Sequence, residues 1–198
     1  MEISSFNSVA LVAFPEGETY PRLTRSVLTE IGDHLAAIES SGCFTGVVIA
    51  ANSRSFATGA ELEEITQLEG FAAREFARAG QALLDRIATF PLPVVAAIRG
   101  YCLGGALDLA LACHRRVATY DSSFGHPGPT LGLITGWGGT QSLPRLLGRA
   151  PALQILLTGE RIPATQALTL GLVDELVPAA DLVAAAAQRT RAKSEVRS

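Results

Sequence analysis

The sequence predicts an α/β protein organised as one domain, residues 1 to 198. Two observations carry that reading. Short apolar or β-branched runs alternate with longer segments of helical period, and 48% of the 198 residues are hydrophobic, which suits one substantial core and falls short of two. A third adds direction: two glycine-bearing loops run straight into helix starts.

The elements follow in order. "SVALVAF" (8–14) and "TGVVIAA" (45–51) read as strands flanking a helix in which Leu23, Val27, Leu28, Ile31, Leu35 and Ile38 recur at helical spacing. "ELEEITQLEGFAAREFARAGQALLDRIATF" (61–90) carries two helices broken near Gly70, after which Pro91 and Pro93 open the strand "VVAAI". "LGGALDLALAC" (103–113) is a helix and "RRVATY" (115–120) a strand. The glycine- and proline-rich stretch "SSFGHPGPTLGLITGWGGTQ" precedes helices around Leu143 to Leu147 and Ala152 to Leu157. Pro163 suits the first turn of another helix, Gly171 its C-terminal stop, and "LVDELV" (172–177) a closing strand. Repeats, low-complexity tracts and linkers are absent from the sequence.

Composition excludes several function classes. Net charge is -3, Lys193 is the only lysine, and the arginines form no basic stripe, so nucleic acid and anionic membrane surfaces are not expected partners. The start lacks a basic segment followed by a long apolar one, and no run approaches the ~20 apolar residues of a membrane span. The expected setting is soluble and cytoplasmic. Cys43, Cys102 and Cys113 are odd in number with no CxxC pair, which argues against a disulfide framework and a zinc site.

Asp108 raises the chemical question, because a carboxylate within "GYCLGGALDL" sits among Leu, Ala and Gly, where desolvation is costly unless the group is paired, capped or used. The two loops, "SFATGAEL" (55–62) and "YCLGGALDL" (101–109), each offer unpaired amides at the positive end of a helix dipole. If the fold joins Ala60 N–H and Gly105 N–H, they polarise one carbonyl oxygen on the way to an enolate or tetrahedral oxyanion, and each donor contributes ~3 kcal/mol. The alternative is that these glycines only permit tight turns.

The loops, "FGHPGPTLGL", "GGTQSLPRLLG" and "LTGERIPATQALTLGLVDELVP" together resemble the enoyl-CoA hydratase/isomerase family, the crotonase superfamily, from about Val9 to about Gln188. The resemblance implies a crotonase-like spiral of ββα units, here lacking the usual C-terminal helical segment that covers the site. It implies no permanently bound cofactor and no metal, an acyl-CoA substrate whose thioester carbonyl meets the amides of Ala60 and Gly105, and a homo-oligomer, trimer or hexamer. Gly59 and Gly104 belong to the same two turns, and Arg22 and Arg54 fall where the family puts basic residues near CoA phosphates.

The family's first acid/base glutamate corresponds to Asp108, whose arm is shorter by one bond of roughly 1.5 Å. The second falls in "FGxPE", where this sequence has "FGHPG" and therefore Gly128. One base suffices to shift a double bond, whereas hydration needs a second group to activate water, so isomerase-like chemistry is preferred. His126 and Glu64, with Glu61 beside it, are the remaining candidates for a second proton-handling group, against a structural role for the histidine and a solvated face for the glutamates. Trp137 is a candidate for the acyl pocket wall; His114 and Arg115 read as surface or capping groups. Two alternatives stay open: a non-catalytic acyl-thioester-binding subunit, and a lyase similar to dihydroxynaphthoyl-CoA synthase, which also has Gly at the position of Gly128 but an Asp near Thr135. A serine peptidase of the related ClpP-like fold lacks its serine and histidine partner.

Overall fold

The computed structural model describes residues 1–191, so Lys193 lies outside it. Nine strands and eight α-helices are present among those residues. Strands β1 (Glu2–Phe6) and β2 (Val9–Ala13) form an antiparallel hairpin. Its two turn residues, Asn7 and Ser8, both have positive φ, +48° and +67°. That is the twist a two-residue hairpin requires and one that Asn tolerates. The parallel strands β3 (Gly46–Ala50), β4 (Val94–Ile98), β6 (Arg115–Thr119) and β9 (Glu175–Val177) extend this pair into a six-stranded sheet of order β1-β2-β3-β4-β6-β9.

The central strands are apolar throughout because both faces of the sheet are covered. Val47, Ile49, Val94, Ala96 and Ile98 point into the larger core, against α1 (Arg25–Ser41), α3 (Gly70–Ala88) and α4 (Gly105–Ala112). Their alternates Val48, Ala50, Val95 and Ala97 face Leu182, Ala186 and Ala187 of α8 (Leu182–Arg189). Helix α1 carries the predicted stripe, Leu28, Ile31, Leu35 and Ile38 being buried, and Thr24 caps it by accepting from the Val27 amide. Helix α8 is an element the sequence reading did not assign.

A second sheet consists of three short strands, β5 (Tyr101–Leu103), β7 (Ser123–Gly125) and β8 (Ile162–Pro163), of which β5 contributes Tyr101 and Leu103 to the lining of a cavity. Its strands are two or three residues long, too short for any periodicity. Pro163 ends β8 and immediately precedes α7 (Ala164–Thr169), which stops before Gly171 at φ +78°. Helices α5 (Gly139–Leu147) and α6 (Arg149–Thr158) follow the glycine-rich stretch, α5 beginning earlier than its glycines and internal Pro144 suggest. Helix α2 (Leu62–Thr66) completes the set.

Buried Arg116 ties β6 to β9. Its guanidinium donates to the carbonyls of Leu172 (2.7 Å) and Cys113 (2.9 Å) and pairs with Asp174, whose carboxylate also accepts from the Arg116 amide at 2.8 Å.

Candidate active site

The first glycine loop is locked to the second by backbone hydrogen bonds. Ala57 N–H donates to Tyr101 O at 3.0 Å and Leu103 N–H to Ala57 O at 3.1 Å, so the stretch before Ala60 runs beside β5. Gly59, at φ +98°, brings the turns together: a Cβ there would sit 2.9 Å from Leu103 O and 3.3 Å from Gly105 N. Gly104 N–H donates to Gly125 O at 2.9 Å, fixing the start of α4 against the end of β7. Among the described residues, the amides of Ala60 and Gly105 donate to no acceptor. Both line one cavity of about 670 Å³.

The cavity is chiefly apolar. Its walls include Leu62, Ile65 and Leu68 from α2 and its flank, Phe76 and Ala77 from α3, and Leu131, Leu133 and Ile134 from the loop after β7. Trp137 also lines it, as expected; its ring lies against Gly105, where a Cβ would collide with it, and packs with Phe76 at a centroid separation of 5.4 Å. A side chain at Gly105 would therefore displace the indole and the amide with it.

Asp108 sits in the first turn of α4, 2% exposed, with its carboxylate in this cavity rather than capping its own helix. Oδ2 accepts from the hydroxyl of Thr135. Oδ1 lies 3.3 Å from Nε2 of His126, a histidine only 3% exposed. Gly139 makes this packing possible, since a Cβ there would strike Asp108 Oδ1 and approach His126 Nε2 to 3.0 Å. Burial pushes the Asp108 carboxyl up to about 7, against the pull of the Thr135 hydroxyl and the Trp137 amide. Burial likewise pushes the His126 imidazole down to about 4.

The other sequence candidates divide. Arg22 lines the cavity and pairs with Glu61 at 3.5 Å, whereas Arg54 stands exposed on the preceding loop, away from the cavity lining. Glu61 and Glu64 are absent from that lining, and Glu64 accepts from the Arg25 amide instead. His114 is exposed and caps the start of β4 by accepting from Val94 N–H at 3.0 Å. Cys102 and Cys113 are buried core residues. Gly128 faces the cavity, but a Cβ on it would lie 2.8 Å from Leu133 O, so the loop has closed over the space a side chain would need. The sequence reading did not assign Thr135 as the partner of Asp108, nor Arg161, which lines the cavity with its guanidinium 5.0 Å above the Tyr101 ring. Among the described residues no cluster of three His, Cys, Asp or Glu side chains could hold a metal ion, and no helix is long and apolar enough to cross a membrane.

Two free amides thus open into the same cavity as a buried carboxylate, on a largely parallel sheet with covering helices. The enoyl-CoA hydratase/isomerase family model matches residues 4–195, and the chain belongs to that family. It is similar to an enoyl-CoA hydratase from Bacillus anthracis, with 31% identity over 96% of this chain and 75% of that one, at a TM-score of 0.88. An enoyl-CoA hydratase/isomerase from Xanthobacter autotrophicus is similar at 30% identity, covering 96% and 71%, with a TM-score of 0.89. Pseudomonas aeruginosa DspI shares 28% identity over 96% and 78%, again at 0.89.

Proposed function

We propose that this enzyme binds an acyl-CoA thioester with its carbonyl oxygen between the amides of Ala60 and Gly105, and that Asp108 moves a proton at the adjacent carbon. The observation that carries the reading is two unused amides on locked loops opening into the same cavity as a buried carboxylate. The amides stabilise the developing enolate, and a carboxyl raised toward neutrality is matched to removing and returning a carbon-bound proton. Arg22 and Arg161 at the same cavity suit the CoA phosphates, Arg161 replacing the exposed Arg54 in that role.

Isomerase-like chemistry is preferred to hydration. Among the described residues Asp108 is the only carboxylate lining the cavity, and the position of the second is Gly128 with its space closed by Leu133. Shifting a double bond needs one group that takes a proton and returns it. The exposed Leu153 and Leu157 of α6 and Leu168 of α7 support self-association of copies, which sedimentation reads directly.

The test is exchange in deuterated water. A 3-enoyl-CoA or saturated acyl-CoA gains deuterium at the α-carbon, and Asp108→Asn slows this by about 10² or more, the scale of losing a general base. Unchanged exchange in the variant sinks the assignment of Asp108. An acyl-CoA bound no more tightly than free CoA removes the oxyanion-hole argument, and brisk hydration of crotonyl-CoA removes the preference for isomerisation. Binding without exchange in the wild type favours a non-catalytic binding subunit.

A further inference from the structure

His126 stands where the sequence leaves it little freedom. It follows Gly125, whose carbonyl holds the Gly104 amide at the head of α4, and precedes Pro127, which restricts it to extended backbone. Its Nε2 is enclosed 3.3 Å from Asp108 Oδ1, and among the described residues neither atom has a hydrogen-bond partner. Two enclosed lone-pair atoms at that separation repel unless a proton lies between them, and an unpaired buried polar group costs about 1–3 kcal/mol. The two carboxylate oxygens thus differ: Oδ2 accepts from the Thr135 hydroxyl, and Oδ1 faces the imidazole.

We propose that His126 is a positioning residue and the proton exit of Asp108: the proton that Asp108 lifts from the substrate is held between Oδ1 and Nε2 and leaves through the imidazole. The inference rests on the reading of Asp108 as the proton-moving group. The Asp108 carboxylate takes the α-proton while the C–H electron pair enters the enolate. Oδ1–H passes that proton to Nε2, leaving carboxylate and imidazolium, and the imidazolium releases it to water. The same route reversed returns a solvent proton to Asp108, which delivers it to carbon and discharges the enolate. Without the imidazole, the proton stays on Asp108 and returns to the substrate that supplied it.

The experiment follows the fate of label in ordinary water, using a 3-enoyl-CoA deuterated at the α-carbon. Mass spectrometry gives the ratio of deuterium carried to the γ-carbon over deuterium lost to water. For His126→Gln this ratio rises by about tenfold or more over the wild type, as expected when one proton-transfer partner is removed. His126→Asn carries the same test should the glutamine variant fail to fold, and retained acyl-CoA binding certifies either protein. An unchanged ratio overturns the relay. Loss of transfer and exchange in equal proportion overturns it too, because the ring would then only prop the carboxylate. Undiminished label loss in Asp108→Asn instead overturns the underlying assignment of Asp108, and the relay with it.

Discussion

Replacing Asp108 with Asn is expected to stabilise the protein as pH rises, while it removes the proton-moving group. The carboxyl has an ordinary value near 3.8, and burial lifts it to about 7 in the folded chain. Below that window both states are protonated and the group contributes nothing. Within it the unfolded chain releases the proton that the folded chain keeps, so stability falls by about 1.4 kcal/mol per pH unit until the folded carboxyl also ionises. Above it the whole deficit, about 4 kcal/mol, persists. Asn has nearly the same shape and no charge, so between pH 5 and pH 8.5 its advantage over the wild type grows by about 3 kcal/mol, two units of the window. Urea unfolding of both proteins at the two pH values gives the difference, in which the contributions of groups common to both cancel. A gap that stays constant between pH 5 and 8.5 refutes the reasoning, because Asp108 would then ionise as an ordinary carboxylate.

Thr135→Val removes the hydroxyl donor to Oδ2, which holds the carboxyl down, so the acidic limb of α-carbon exchange moves to higher pH by about one unit; an unmoved pH–rate profile contradicts this. Arg116→Met strands the carbonyls of Leu172 and Cys113 and takes one partner from Asp174, lowering stability by about 3 kcal/mol in denaturant unfolding, with Arg116→Lys restoring only part; a loss under about 1 kcal/mol would show the network contributes little.

Long elements were legible and short ones were not, for physical reasons. The stripe Leu28, Ile31, Leu35 and Ile38 and the runs 46–50 and 94–98 announce themselves because burial imposes a period over several turns or a continuous apolar run. Strands β5, β7 and β8 take their extended form from neighbours, and β1 depends on a turn at Asn7 and Ser8 that composition does not flag. Helix α8, rich in alanine, presents too few large apolar residues for its buried face to stand out. That Asp108, Ala60 and Gly105 line one cavity could be anticipated because their motifs are ordered along the chain. Thr135 is not legible as the donor to Asp108 because that contact joins residues 27 apart, and sequence position does not reveal that the cavity is lined by Arg161 and not by Arg54.

The two-faced sheet has a consequence for how the chain is made. Val48, Ala50, Val95, Ala97 and Val117 meet their cover in residues 182–189, and β9, which joins the sheet beside β6, follows every other described strand in chain order. Until then a growing chain presents a flat aliphatic surface and an open strand edge, the two features that most readily recruit other chains. Most of the sheet's pairings are parallel, which slows their formation further, because long connections must close before each strand finds its neighbour. A nascent chain stalled near residue 180 should therefore be a strong client for holding chaperones, and release of the following dozen residues should end that dependence abruptly.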